Sequence, residues 1–125
     1  MMNRRAALLG LGAVAVAAFA GSAARAHHGW RWAEEETIDM TGAIQSARLG
    51  NPHGILLIDV KGEQWTVEVG QPWRNRRAGL KDEMLVKGVT VTISGHRSSD
   101  PAEKRIKAER VMIDGRAFDL YPNRD

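Results

Sequence analysis

The sequence predicts a small, mainly β barrel that begins after a removable N-terminal segment. Apolar and polar residues alternate with a period of two in several short stretches between residues 37 and 121, and glycines and prolines typical of turns separate them. Only residues 70–87 show spacing close to that of a helix. The chain has 125 residues, and those that remain beyond residue 26 suffice for one domain with one core.

The first 26 residues have the composition of a secretory signal peptide. Arg4 and Arg5 precede an apolar run over residues 6–20, which ends before Ala24-Arg25-Ala26. That run is shorter than the ~20 residues of a spanning helix, so we expect cleavage after Ala26 and no retained membrane span. The product is expected to be periplasmic or secreted. The arginine pair is also compatible with twin-arginine export.

Cleavage would change the charge of the chain. The full sequence has 18 basic and 15 acidic residues, but Arg4, Arg5 and Arg25 precede the cleavage site and every acidic residue follows it. The mature chain would therefore be close to neutral, and we do not expect nucleic acid as a partner, because such binding needs a concentrated positive field. With no cysteine, the domain would enter an oxidising compartment without disulfides.

Six short strands and one helix are expected beyond the N-terminal arm. Their alternation places the strands at residues 37–44, 53–60, 64–69, 89–96, 104–113 and 117–120. Pro72 marks the start of a helix over residues 72–78, and Asp114-Gly115 is a hairpin signal before the last strand. In the fifth strand Ile106, Ala108 and, after a slip in register, Val111 are expected to point inward.

This order of elements fits a five- to six-stranded Greek-key barrel of the oligonucleotide/oligosaccharide-binding (OB) type, with its short helix between strands 3 and 4. A plain β-sandwich is the alternative, which the short strands and the helix disfavour. The expected organisation is a helical signal peptide at residues 1–26, an N-terminal arm at 27–36, the barrel at 37–121 and a tail at 122–125.

Several short motifs occur in order along the mature chain. They are Ala26-His27-His28-Gly29-Trp30, Thr41-Gly42-Ala43-Ile44, Asn51-Pro52-His53, Trp65 with Val67 and Glu68, Arg77-Ala78-Gly79-Leu80, Gly88 with Val89-Thr90-Val91 and Gly95, and Asp114-Gly115-Arg116. The set resembles the exported bacterial family catalogued as domain of unknown function 6152. The resemblance implies a secreted or periplasmic small β-barrel domain and supplies no activity. His96 lies at a position that this family does not reserve for histidine.

Three of the four histidines are candidate metal ligands. After cleavage at Ala26, the free α-amine and the ring of His27 can chelate one metal ion, since an amine with a pKa of about 7.7 loses its proton readily to a metal. His28 and His53 would complete an all-nitrogen site, which favours Cu(II) over zinc and nickel. Alternatively, the histidine pair is a solvated terminus and His53 makes only a structural hydrogen bond.

A basic stretch in the expected helix is a second candidate contact site, for an anion or a partner. It consists of Trp73, Arg74, Arg76 and Arg77. Guanidinium groups beside an indole bind phosphates, carboxylates or stacked rings. The alternative is a solvated helix face whose charge is neutralised by Asp82 and Glu83.

The sequence contains no recognisable catalytic motif. It lacks cysteine, a G-x-S-x-G turn and an H-E-x-x-H pair. Asp59 and Glu68 lie on adjacent expected strands as a conceivable carboxylate pair, although alternation also explains them as parts of a polar face. We therefore expect a binding or accessory protein rather than an enzyme, with copper or another divalent metal at the mature N-terminus. The alternative is a structural or interaction module that contacts another envelope protein without a metal.

Overall fold

The computed structural model describes residues 29–124, and the fold presented below lies in the unit that begins at Trp32. The expected signal peptide, His27 and His28 lie outside the described residues. Within residues 29–124, no helix is both long and apolar enough to span a bilayer.

Six strands and one short α-helix form the domain. In chain order they are β1 (Ile38–Arg48), β2 (Ile55–Val60), β3 (Glu63–Glu68), α1 (Pro72–Arg77), β4 (Thr90–Arg97), β5 (Arg105–Ile113) and β6 (Arg116–Asp119). A 3₁₀ helix at Asp82–Met84 follows α1, where the sequence predicts only an irregular segment. Strand β1 runs four residues beyond its predicted end, because it stays paired with β2 after a bulge between Ile44 and Ser46.

The sheet closes into a five-stranded barrel. Its strand order is β3-β2-β1-β4-β5, with antiparallel pairing throughout. A parallel β3–β5 pairing, from Thr66 opposite Arg105 to Glu68 opposite Lys107, completes the ring. Strand β6 adds to β5 as a hairpin through Asp114 and Gly115, both with positive φ. This closure confirms the predicted OB-like barrel in place of a sandwich of two sheets.

Inward side chains fill the barrel. The hydrophobic residues exposed by at most 2% on its strands are Ile44, Leu56, Ile58, Val67, Val91, Ile93, Ile106, Ala108 and Val111. Leu80, Leu85 and Leu120 join the same cluster from segments outside the five barrel strands. The interior is therefore a packed core, and any ligand must bind on the outside of the barrel or at its ends.

The expected slip in β5 is a bulge. Ser94 lies opposite Arg110 and Gly95 opposite Ala108, so that Glu109 is the extra residue on β5. The bulge moves Val111 onto the same inward face as Ile106 and Ala108, and all three are fully buried. It also turns Glu109 toward His96 on the neighbouring strand, at a hydrogen-bonding distance of 2.7 Å.

Candidate functional site

Helix α1 presents the basic stretch from a fixed base. Pro72 occupies its first turn, and the side chain of Asn75 is 3% exposed. The Asn75 amide donates to the carbonyl of Gly70 and its oxygen accepts from the Gly70 amide, each at 3.0 Å. This pair of hydrogen bonds secures the short helix to the end of β3. Asn75 is thus a structural residue, although it lies within the basic stretch of the sequence.

Arg74 joins α1 to the C-terminal segment (residues 120–124). Its guanidinium carbon lies 4.5 Å from the ring centroid of Trp73 and 4.2 Å from that of Tyr121. It also donates to the carbonyl oxygen of Leu120 at 3.1 Å and to the side chain of Gln71 at 3.4 Å. With both ring contacts and two hydrogen bonds made internally, Arg74 acts mainly as a link between two segments.

Trp73, Arg76 and Arg77 remain exposed, and we refer to them as the basic helix surface. Trp73 is 46% exposed, an unusual value for so large an aromatic side chain. The alternative of a helix face neutralised by Asp82 and Glu83 is not found: no ion pair joins these arginines to either residue in the part of the chain that the structure describes. The surface therefore carries two positive charges that are open to an external anion.

A cleft of about 200 Å³ adjoins the basic helix surface. Arg74, Arg77 and Ala78 line it on one side, and Leu120, Pro122 and Asn123 on the other. Asp119 also lines the cleft, but it accepts a hydrogen bond at 2.5 Å from Arg110. The cleft thus places a guanidinium group beside backbone and amide groups of the C-terminal segment.

A buried ion pair lies where β3 meets β5. Lys107 donates a hydrogen bond to Glu68, and Arg105 lies 3.6 Å from the other oxygen of the same carboxylate. The ammonium group of Lys107 is 5.7 Å from the centroid of the Tyr121 ring. Burial raises the pKa of Tyr121 above its ordinary value; the Arg74 charge opposes this shift and the Glu68 charge adds to it.

This arrangement corrects the conceivable pairing of Asp59 with Glu68. In the β2–β3 register, Asp59 lies opposite Gln64 and Glu68 lies opposite Ile55. Four residues along a strand separate the two carboxylates by about 13 Å, too far to share a proton. Asp59 instead accepts a hydrogen bond from the amide of Gly62 at 2.8 Å and so stabilises the β2–β3 turn.

Residues 32–34 of the N-terminal arm are attached to β4 and to the loop between β4 and β5. The carbonyl oxygen of Trp32 accepts hydrogen bonds from the amide and the hydroxyl of Ser99, at 2.9 and 3.1 Å. The amide of Glu34 donates to the carbonyl of Arg97 at 2.8 Å. The ring of Trp32 covers the guanidinium of Arg105 at 3.7 Å. Trp32 therefore covers the part of β5 next to the buried ion pair.

The described histidines occupy different environments. His53 follows the cis Asn51-Pro52 peptide bond and is half-buried, and its Nδ1 has no hydrogen-bond partner among the described residues. His96 is 4% exposed and is bonded through Nε2 to Glu109. Over residues 29–124, no group of three or more His, Asp or Glu side chains is arranged to hold a metal.

Sequence reasoning missed the buried polar residues. The alternation in β5 puts Lys107 on the outer face, where a lysine is normally solvated, yet Lys107 and Glu68 are both buried. No sequence motif or periodicity singled out Tyr121, the only tyrosine of the chain. Pairing of β3 with β5, two strands that are not consecutive, is the step that brings these residues together.

Solved structures with similar folds include a chain of the S. pombe Stn1-Ten1 complex, at 17% identity and a TM-score of 0.50, over 62% of this chain and 57% of that one. A ZRD-deleted mutant of TiaS in complex with agmatine has 19% identity and a TM-score of 0.47, over 62% and 21% of the two chains. TiaS bound to an isoleucine tRNA, AMPCPP and agmatine has 18% identity and a TM-score of 0.48, over 62% and 18%.

This chain thus spans about a fifth of the TiaS chain, and the similarities concern the fold alone. No curated protein matches the sequence. A family of unknown function, DUF6152, matches residues 13–106, which include strands β1 to β4 and α1. The match covers most of the chain, and the protein belongs to this family, DUF6152.

Proposed function

We propose that this protein is an exported binding protein, and that its basic helix surface binds an acidic group on an envelope partner. The observation that carries the proposal is the presence of Arg76 and Arg77, exposed and without ion pairs in the described structure, on the same short helix as the exposed Trp73. The N-terminal composition, which is typical of a signal peptide, supports export to the periplasm or beyond.

The chemistry of these side chains suits a carboxylate on a protein partner. Arginine and tryptophan are enriched at the centres of protein interfaces, where the planar guanidinium forms two parallel hydrogen bonds with a carboxylate. The indole adds apolar contact area beside the charge. A surface that combines both residue types is therefore better suited to an acidic peptide segment than to an isolated inorganic anion.

The base of the helix reduces the cost of binding. Asn75 and Arg74 already hold α1 against the barrel and the C-terminal segment, so the backbone that carries Arg76 and Arg77 need not become ordered when a partner binds. The cleft beside Arg77 gives a partner side chain a place to insert. Such preorganisation favours a specific contact over diffuse electrostatic attraction.

A peptide titration tests the proposal. The mature protein would be titrated with a short acidic peptide, made of glutamates and one tryptophan, while backbone amide shifts are followed by NMR. We expect saturable shifts at residues 73–78 and at Leu120, Tyr121 and Asn123, with binding weakened at least ~10-fold in Arg76→Gln/Arg77→Gln. Arg48→Gln is the matched control, because Arg48 is exposed on β1 with no ion pair in the described structure.

Three results would overturn the proposal. They are no saturable binding of the peptide, shifts centred away from α1, or equal weakening by Arg48→Gln and by the double variant. The last result would mean that the peptide responds only to the total charge of the protein. Such an attraction would be the same at every exposed arginine and would be screened by added salt.

Metal binding at the mature N-terminus is a second candidate function. In this proposal the free amine and ring of His27 chelate Cu(II), with His28 and His53 as further ligands. It is supported by the Nδ1 of His53, which has no hydrogen-bond partner within residues 29–124, since neutral imidazole with a free nitrogen is a common metal ligand.

Copper uptake by two forms of the protein tests this candidate. The first form is shown by mass spectrometry to start at His27, and the second carries one added residue before it. We expect the first form to take up more copper than the second. Introducing His53→Gln into the first form should reduce its uptake. Equal uptake by both forms would contradict the proposal, because the added residue removes the amine from the chelate.

A further inference from the structure

A second cleft, of about 170 Å³, lies beside the first one. The two share Asp119 and Pro122 as lining residues, but the second contains neither Arg74 nor Arg77. Its other lining residues are Thr37, Ser94, Glu109, Arg110 and Tyr121. They come from the start of β1, from β4 and β5, and from the C-terminal segment, and we refer to this site as the β4–β5 cleft.

Both carboxylates in the β4–β5 cleft already have partners. Glu109 is held by Nε2 of His96 at 2.7 Å, and Asp119 accepts from Nε of Arg110 at 2.5 Å. Each carboxylate has one side-chain partner and retains lone pairs for further hydrogen bonds. These acceptors favour hydroxyl groups over ions, because the two carboxylates repel an anion and the guanidinium of Arg110 repels a cation.

The remaining polar groups complement these acceptors. The hydroxyls of Ser94 and Thr37 can both donate and accept, and the guanidinium of Arg110 adds a donor group to the lining. A ligand with several adjacent hydroxyls could hydrogen-bond to both the donors and the acceptors of this lining. A hydrocarbon ligand would instead cover the hydroxyls of Ser94 and Thr37 without offering them hydrogen bonds, at a cost of about 1–3 kcal/mol for each group so buried.

Tyr121 supplies the apolar part of the cleft. Arg74 lies over its ring at 4.2 Å and fixes the orientation of the ring, while the residue itself lines the β4–β5 cleft. An aromatic ring beside hydrogen-bonding groups matches a ligand with one apolar C–H face and a polar rim. A sugar ring has this distribution of groups.

The volume agrees with a single ring. About 170 Å³ corresponds to five or six waters at ~30 Å³ each, and it is below the ~300 Å³ at which pockets for drug-sized ligands begin. We propose that the β4–β5 cleft binds one neutral sugar residue through the carboxylates of Glu109 and Asp119 and the ring of Tyr121. The proposal is independent of the basic helix surface, whose arginines do not line this cleft.

NMR titration of the mature protein with glucose and with N-acetylglucosamine tests the proposal. We expect saturable amide shifts, in the millimolar range usual for a small contact, at Ser94, Glu109, Arg110 and residues 119–121. Tyr121→Phe keeps the ring and should bind nearly as well as the wild type. Tyr121→Leu removes the ring and should weaken binding at least ~10-fold.

The wild-type titration is decisive even if Tyr121→Leu fails to fold. Absence of saturable shifts with both sugars would overturn the proposal, as would shifts centred outside the cleft. Equal binding by Tyr121→Phe and Tyr121→Leu would also overturn it, because the ring would then have no role. Arg76→Gln/Arg77→Gln should bind both sugars as the wild type does, so the outcome is separable from that of the acidic-peptide experiment.

Discussion

The ammonium group of Lys107 donates a hydrogen bond to the carboxylate of Glu68 across the parallel β3–β5 pairing that closes the barrel. Only three residue pairs make up this pairing, and Glu68 opposite Lys107 is the last of them. The two side chains are 8% and 3% exposed, so the charges are largely removed from water. A misaligned closure would leave both charges buried without partners, which favours the observed register.

Removal of one partner should therefore destabilise the barrel. Lys107→Met should lower the free energy of unfolding by about 3 kcal/mol, because it leaves the Glu68 carboxylate buried with Arg105, at 3.6 Å, as its remaining ion-pair partner among the described residues. Urea denaturation followed by tryptophan fluorescence measures the change. In Glu68→Met/Lys107→Met, where no unpaired charge is buried, at least ~1 kcal/mol of the loss should be regained.

A surface ion pair on the same two segments provides the control. Lys104 hydrogen-bonds to Glu63, and their side chains are 47% and 56% exposed. Lys104→Met should change the free energy of unfolding by less than ~1 kcal/mol, as is usual for exposed pairs. If Lys104→Met and Lys107→Met cost the same, burial of the second pair would have no energetic importance and our interpretation of the barrel closure would be wrong.

Gly95 is required by the close approach of β4 and β5 at the bulge. A Cβ atom at this position would lie 2.1 Å from the carbonyl oxygen of Lys107, a backbone atom that cannot move independently. Gly95→Ala should therefore destabilise the protein by about 3 kcal/mol or more, or prevent folding. Gly50→Ala is the control, since a Cβ there meets no atom within 4 Å. Similar thermal unfolding of both variants would show that the bulge can open to admit a methyl group.

Replacement of Asn75 should lower the free energy of unfolding, although the residue lies among the arginines of α1. Its amide makes two hydrogen bonds to the backbone of Gly70, and both the donor and the acceptor are buried. Asn75→Ala leaves the Gly70 amide without its partner and removes one of two hydrogen bonds to the Gly70 carbonyl, which still accepts from the Gly54 amide at 3.1 Å. The change should cost about 2 kcal/mol. The exposed Asn123 gives the comparison, and Asn123→Ala should be nearly neutral in urea denaturation. A neutral Asn75→Ala would mean that water replaces the side chain at the start of α1.

The barrel was predictable because its core repeats with a period of two. Val91 and Ile93 in β4 alternate with less buried residues, and the bulge in β5 was visible as a break between Ala108 and Val111. Pro72, a residue favoured in the first turn of a helix, likewise predicted the start of α1. These signals are local in the sequence, so they do not depend on knowing which strands pair.

The sites were less predictable because they depend on contacts between distant segments. Lys107 looked like an exposed strand residue, and its burial follows from the β3–β5 pairing together with the nearby Tyr121 ring. The sequence did identify the basic helix surface, but it could not separate Arg74, which contacts Tyr121 and Leu120, from Arg76 and Arg77. Spacing along a six-residue helix does not show which side chain meets the C-terminal segment.

Tyr121 provides a direct probe of the electrostatics near the buried ion pair. It is the only tyrosine in the chain, so ultraviolet absorbance of the tyrosinate reports its ionisation alone. Burial, the largest cause, raises its pKa above the ordinary value of 10.0. Glu68→Gln should lower that pKa by removing a negative charge. Arg74→Met should raise it further by removing the positive charge over the ring.

The same shift predicts how stability depends on pH. Because the folded state holds the phenolic proton more tightly than the unfolded state, the contribution of Tyr121 to stability is complete below a pH of about 10 and is lost as pH rises through the higher folded pKa. Urea denaturation on both sides of that pH gives the free energy of unfolding of the wild type and of Tyr121→Phe. The contribution of Tyr121 is the decrease with pH that the wild type shows and the variant does not. A wild-type tyrosine that ionises at or below its ordinary pKa, or identical pH profiles for the two proteins, would contradict the burial of the phenol beside Glu68 and Lys107.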